Sequence, residues 1–262
     1  MLHNLARLLR YRGLIQSLVA RELKARYRGS VLGFFWSFIN PLLLLLVYTF
    51  VFKYVQPRGE GGPENYALFM FCGILPWTWF ASSLTESAGV LISGGNLIKK
   101  VLFPAEILPI VTVLANMAHF FLGLPILGLF LLYYRAPIAF PEILWLPVII
   151  LVQLVLTLGF ALLLAALTVH FRDIRDILSN LLTLWFFATP IIYAWKDAQF
   201  AKRYLNLNPF THLAISYQEV LYFDGPFGHW AWLLSLGVIS IAWFLVAYFV
   251  FDRLRDTFAE EV

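Results

Sequence analysis

The chain alternates long apolar runs with short polar joints, most of them basic. Six runs predict membrane-spanning helices, at about residues 33–55, 66–92, 107–134, 143–169, 177–195 and 230–251. A bilayer core about 30 Å thick needs about 20 predominantly apolar helical residues, and these runs come close to or exceed that length. Gln56-Pro57-Arg58-Gly59 ends the first run, and Ser93-Gly94-Gly95-Asn96 ends the second. Pro125 is expected to kink the third. The fourth leads into His170-Phe171-Arg172-Asp173-Ile174-Arg175-Asp176, where Arg172 and Arg175 are expected to pair with Asp173 and Asp176. Between the fifth and sixth runs, Phe210 to Phe223 is apolar but too short to span and is bracketed by Asn208-Pro209 and Asp224-Gly225-Pro226. It predicts one or two re-entrant half-helices dipping into the outer leaflet, since irregular backbone at that depth survives only where protein or water covers it.

Ahead of the spans, Leu14 to Arg28 has helical periodicity. Ile15, Leu18, Val19 and Leu23 fall towards one face, with Arg21, Lys24 and Arg28 opposite. Glu22 and Arg26 stray towards the apolar face, at a spacing that lets them pair with each other. Such a helix lies in the headgroup plane. The expected organisation is therefore an all-α membrane protein: residues 1–30 as a cytoplasmic amphipathic interface helix, and 31–262 as a six-helix transmembrane domain.

Composition excludes the soluble alternative. Hydrophobic residues make up 61% and charged residues 13%, and several apolar runs exceed the length any soluble core requires. The net charge of +4 is no sign of a nucleic-acid partner, because membrane proteins gather Lys and Arg on one side. Thirteen basic residues fall on the side of both termini and six on the other, which predicts cytoplasmic termini and agrees with an even number of spans. Cys72 is alone, so there is no disulfide framework, and the N-terminal apolar patch lacks the cleavage pattern of a signal peptide.

No nucleotide-binding G-x-x-x-x-G-K-[ST] loop and no H-E-x-x-H are present, and His3, His119, His170, His212 and His229 are scattered singly. Only Glu86 and His119 are ionisable and away from span ends, too few for a proton relay. Asn116, Gln153 and Asn180 suit hydrogen bonding between helices. If the chain moves a solute, the energy comes from elsewhere. Of its rings, Trp77, Trp79, Trp145, Trp195 and Trp230 suit an outer interfacial belt. Others can stack on the apolar faces of sugars along a translocation path, for which the candidates are Phe34, Trp36, Phe38, Tyr48, Trp185 and Tyr193. Residues Gly94 to Pro104 form a basic and apolar cytoplasmic loop able to enter a partner's groove.

Five segments, in order along nearly the whole chain, resemble the permease subunits of type-2 ABC exporters of polysaccharides. They are Arg21-Glu22-Leu23-Lys24 with Tyr27, Gly33, Trp36 and Asn40-Pro41; Asn96-Leu97-Ile98-Lys99-Lys100-Val101 with Phe103-Pro104; Phe171-Arg172-Asp173 with Asp176; Thr189-Pro190-Ile191-Ile192-Tyr193; and Leu207-Asn208-Pro209-Phe210. The resemblance implies a non-enzymatic subunit that pairs with a second copy of itself and binds two copies of an ATPase. That partner would hold ATP and Mg, with no cofactor in this chain. It also implies ATPase contacts from Arg21, Lys24, Arg28, Asn96, Leu97, Ile98, Lys99 and Lys100, re-entrant helices capping the path, and lipid-linked O-antigen, capsular polysaccharide or teichoic acid as substrate at the bacterial inner membrane. The alternatives are an ABC exporter of a lipid or drug, and a membrane-embedded enzyme acting on polyprenyl-linked sugars.

Overall fold

The computed structural model describes residues 11–26, 28–55, 65–95, 99, 103–136, 141–195 and 202–258. Among them the regular structure is helical, with no strand. The α-helices are α1 (Arg12–Arg26), α2 (Trp36–Phe50), α3 (Tyr66–Ser93), α4 (Ile107–Tyr133), α5 (Leu146–His170), α6 (Ile174–Phe187), α7 (Lys202–Leu205), α8 (Pro209–Leu221) and α9 (Trp230–Leu254).

Among the described residues, four helices are long and apolar enough to cross a membrane: α3, α4, α5 with its preceding turn, and α9. The other two expected spans have shorter helices. In the first, α2 has 15 residues and continues as a π-helical turn, Val51–Val55. In the fifth, α6 has 14 residues, about 21 Å at 1.5 Å per residue. It stops at Phe187 because Thr189-Pro190 cannot prolong it: the proline lacks an N–H and its ring pushes the preceding residue out of the helical region.

The centre of the bundle is α3, with α4 and α5 packed against it. Of its apolar window 83% is buried, against 28% for α9, so α9 is peripheral and presents most of its surface outward. This corrects the placing of two tryptophans in an outer belt. Trp77 and Trp79 are buried inside the protein because their faces of α3 pack against other helices, and the Trp79 indole N–H donates to Val113 O at 3.2 Å. The pairing of α5 with α9 depends on Gly159: a Cβ there would lie 2.6 Å from Trp243 Cδ1.

Helix directions follow from two clusters. At one end Leu91, Ala105, Leu108, Val169, Tyr248, Phe251 and Phe258 pack together, joining the end of α3, the start of α4 and the ends of α5 and α9. At the other end Phe69, at the start of α3, contacts Phe223, and Trp145, ahead of α5, contacts Phe227. Helices α3, α5 and α9 therefore run one way and α4 the other.

At the first of these ends α1 docks on the bundle. Leu18 packs on Ile107 and Val111 of α4, flanked by Leu14, Ile15 and Val19, while Arg21, Lys24 and Arg28 are exposed. The chain then breaks through Gly29 (φ +80°) and Gly33 (φ +48°), left-handed positions that glycine adopts without penalty, and enters α2.

Candidate functional site

Two polar joints hold the bundle, one at each end, called inner and outer for the side expected of each. The inner joint is built on Arg26, the last residue of α1. Its guanidinium donates to a Glu86 carboxylate oxygen on α3 and, at 3.1 Å, to Asn116 Oδ1 on α4. Asn116 Nδ2 donates in turn to the same Glu86 oxygen at 2.8 Å and to Thr112 O at 3.1 Å. The expected Glu22–Arg26 pair is present only as a 3.9 Å contact. Glu86, the expected lone acid within the second span, is thus the counter-charge of the interface helix. Beside this network a cavity of about 220 Å³ opens between Trp36 and Asn40 of α2, Thr78 and Ser82 of α3, and Asn116 and His119 of α4.

The outer joint is built on Asn208. As N-cap of α8 it accepts from Phe210 N at 3.0 Å, with Pro209 at the first helical position, where its missing N–H costs nothing. The same Oδ1 accepts from the Trp185 indole N–H at 2.6 Å, and Nδ2 donates to Ala188 O and Thr189 Oγ1, both at 3.0 Å. One amide thereby ties the end of α6 to the start of α8. The Pro190 carbonyl, left outside any helix, accepts from Gln218 Nε2 of α8 at 2.9 Å. Non-helical backbone is tolerated here because the side chains of α8 satisfy it. Apart from Pro209 at its start and Glu219, every residue of α8 is buried, so it is an interior helix and not an amphipathic surface one.

Around this joint lies an aromatic cluster. Trp77 meets Phe210 edge-on with centroids 4.9 Å apart, Phe80 lies 5.2 Å from Trp185, and Phe160 lies 4.9 Å from Trp243. Trp185 and Tyr193 share this region, Tyr193 OH donating to Phe187 O at 3.4 Å. Trp36 instead lines the inner cavity, its indole bonded to Ser30 Oγ at 3.1 Å, and Phe38 and Tyr48 are half-buried on α2. The contacts of the described residues do not unite these rings in one lining. The side chain of Phe34 lies outside the described residues, as do Tyr27 and the loop residues Asn96, Leu97, Ile98 and Lys100. Lys99 is exposed, its N–H bonded to Gly95 O at 3.0 Å.

Two further findings depart from sequence expectation. Among the described residues no ion pair joins Arg172 or Arg175 to Asp173 or Asp176. Instead the Arg175 guanidinium lies 3.9 Å from where Gly89 of α3 would carry a Cβ, because the short turn sends that side chain back along the bundle. Two of the scattered histidines also meet. His212 Nδ1 is 2.9 Å from His229 Nε2, and Trp232 stacks on His212 with centroids 4.8 Å apart. The Asn206 carbonyl, 3.1 Å from His212 Nε2, can only accept, so that nitrogen carries the proton. Neutral His212 then accepts at Nδ1 from the His229 Nε2–H. Nothing in the spacing signals this pair, 17 residues apart.

A bundle of bilayer-length apolar helices, with a basic helix docked at one end and a buried short helix at the other, defines a multi-pass integral membrane protein. The chain belongs to the ABC-2 type transporter family, whose model matches residues 13–222. It is 40% identical over 265 residues to an O-antigen export system permease protein, RfbA, of Myxococcus xanthus, covering 100% of both chains. It is 32% identical over 246 residues to an RfbA of Klebsiella pneumoniae, covering 92% of this chain and 91% of that one. Over 84 residues, 32% of each chain, it is 26% identical to the polysialic acid transport protein KpsM of Escherichia coli.

Proposed function

We propose that the chain is the membrane-spanning permease subunit of an ATP-driven exporter of lipid-linked polysaccharide, O-antigen first among the candidates, across the bacterial inner membrane. The observation that carries this reading is end-to-end similarity to an O-antigen export permease at 40% identity. Two copies pair and bind two copies of a separate ATPase, which holds ATP and Mg. The membrane topology is six spans, with α2 and α6 completing the four longer helices, both termini cytoplasmic, and α7 and α8 re-entrant from the outer side. The basic face of α1, with Arg21 and Lys24, then Arg28 in the turn just beyond it, and the loop Asn96 to Lys100 meet the ATPase. The apolar faces of α2 (Leu43, Leu46, Val47, Phe50) and α6 (Ile177, Leu181, Leu184, Phe187), which are exposed in the single chain, supply contact with the second copy. Rings such as Trp185 and Tyr193 border the path.

Co-expression with its ATPase in a strain lacking an O-antigen export permease tests the reading. Surface O-polysaccharide is expected to return and to require ATP hydrolysis. Replacing Leu97 to Leu102 by a Gly/Ser linker is expected to abolish ATPase co-purification while leaving membrane insertion intact. A chain that inserts and binds the ATPase but restores no surface polysaccharide overturns the substrate assignment.

A further inference from the structure

Beside the outer joint, a second cavity of about 250 Å³ opens along α8, lined by Trp195, Ile215, Gln218, Glu219, Asp224 and the backbone around Gly225 and Gly228. Drug-sized sites run from about 300 to 1,000 Å³, so this one suits a single ring with its substituents. Its lining combines one half-buried indole with hydrogen-bonding groups held in place. Lys202 Nζ sits 5.7 Å from the Trp195 ring centroid. The Gln218 amide is fixed through Nε2 on Pro190 O, and a Glu219 carboxylate oxygen accepts from His229 N at 3.0 Å. Gly225, at φ +120°, turns the chain so that Asp224 and Gly228 close the rim. An indole takes the C–H face of a pyranose, while carboxylates and an amide take its hydroxyls, carboxylates only as acceptors.

We propose that this pocket is a subsite for one sugar residue of the exported chain, and that Glu219 and Asp224 make it selective for neutral or amino sugars over uronic acids and sugar phosphates. A second negative charge in the pocket would face two carboxylates, with Lys202 beside Trp195 the nearby cation among the described residues. A metal site is the weaker use of the same acids, since among the described residues no group of three or more His, Cys, Asp or Glu could hold an ion. The pocket adjoins the Pro190–Gln218 contact, so an occupant touches α8 and the end of the fifth apolar run together. The proposal rests on the export reading and adds to it a place and a preference.

The test uses the full chain with its ATPase in lipid nanodiscs, probed by saturation-transfer NMR with the methyl glycosides of glucose, glucosamine and glucuronic acid. Transfer to the glucose or glucosamine glycoside is expected, with glucuronide transfer about five- to ten-fold weaker, the scale of one lost hydrogen bond. Trp195→Ala should lower transfer by about the same factor, the scale of one lost ring contact, and Trp195→Phe should restore part of it. Glu219→Gln, which keeps the acceptor for His229 N, should narrow the preference against glucuronide. Surface polysaccharide is scored in parallel in the complemented strain. If export is restored but transfer is absent or indifferent to Trp195→Ala, the subsite is wrong and the export reading stands. If export is not restored, the export reading itself fails. Glucuronide transfer equal to that of the glucoside overturns the selectivity.

Discussion

Replacing Glu86 by Gln keeps the shape of the inner joint and removes one charge, which isolates the electrostatic part of the hold on α1. The pair is neither fully exposed nor buried: the Arg26 side chain is 24% accessible and that of Glu86 38%. Exposed ion pairs contribute about 0–1 kcal/mol, and breaking a buried one costs about 3–5 kcal/mol. With Asn116 still bonded to both partners, an intermediate loss of about 1–2 kcal/mol is expected, which multiplies the undocked population of α1 about 5- to 30-fold. Hydrogen–deuterium exchange in nanodiscs reads this directly: amides of Arg12 to Arg26 should exchange faster by that factor, while those of α3 and α5 stay unchanged. The exchanged pair, Arg26→Glu with Glu86→Arg, should recover much of the protection, because the Asn116 amide can serve either arrangement. Unchanged exchange in α1, or a double variant no better protected than the singles, would refute the claim that this pair fixes the helix and leave the Leu18 contacts to Ile107 and Val111 as its whole attachment.

Asn208→Ala should destabilise the protein by about 2–4 kcal/mol in a denaturation titration, since a cap is lost and the Trp185 indole N–H and Ala188 carbonyl lose their partner; Asn208→Asp, which keeps both acceptor roles, should cost less. Gly159→Val should force α5 from α9 against Trp243 and lower stability by about 1–3 kcal/mol, seen as a shift in thermal midpoint. Burial, and next the neighbouring His212, lower the His229 pKa to about 4. Its neutral form is thus favoured by the fold: the stability it contributes is complete above pH 6.5 and is lost as pH falls towards 4. Thermal midpoints measured from pH 7 to 4 should decline over that window, and more shallowly in His229→Gln.

How far the fold and the joints could be read from the sequence depends on the range of the interactions that set them. Runs such as 107–134 and 230–251 announce α4 and α9 because bilayer-length apolarity is a local property. The Asn208-Pro209 start of α8 is equally local, a cap followed by the one residue that needs no donor there. What the sequence withholds is which partner each polar group finds. Arg26 lies four residues from Glu22, which made that pair the economical expectation, yet its guanidinium reaches Glu86 and Asn116, 60 and 90 residues away. The burial of Trp77 and Trp79 follows from α3 being the central helix, and centrality belongs to the assembly of helices, not to any window within one.

The Arg26 case could have been argued from the sequence by cost alone. An arginine and an acid, each placed on an otherwise apolar helical face, lose part of their hydration once those faces pack, and Glu22, on α1 itself, does not offset that loss at Glu86 on α3. The pairing that removes both penalties is the one between helices. It has a mechanical consequence: the helix that exposes Arg21 and Lys24 outward is bonded through its inward arginine to α3 and α4 at once. A push on α1 is therefore carried by a charge-assisted bond to the central helix as well as by apolar contacts to α4. Apolar contacts have little directional preference, whereas the guanidinium fork bonds Glu86 and Asn116 at once, so the inner joint couples α1 directionally to both α3 and α4.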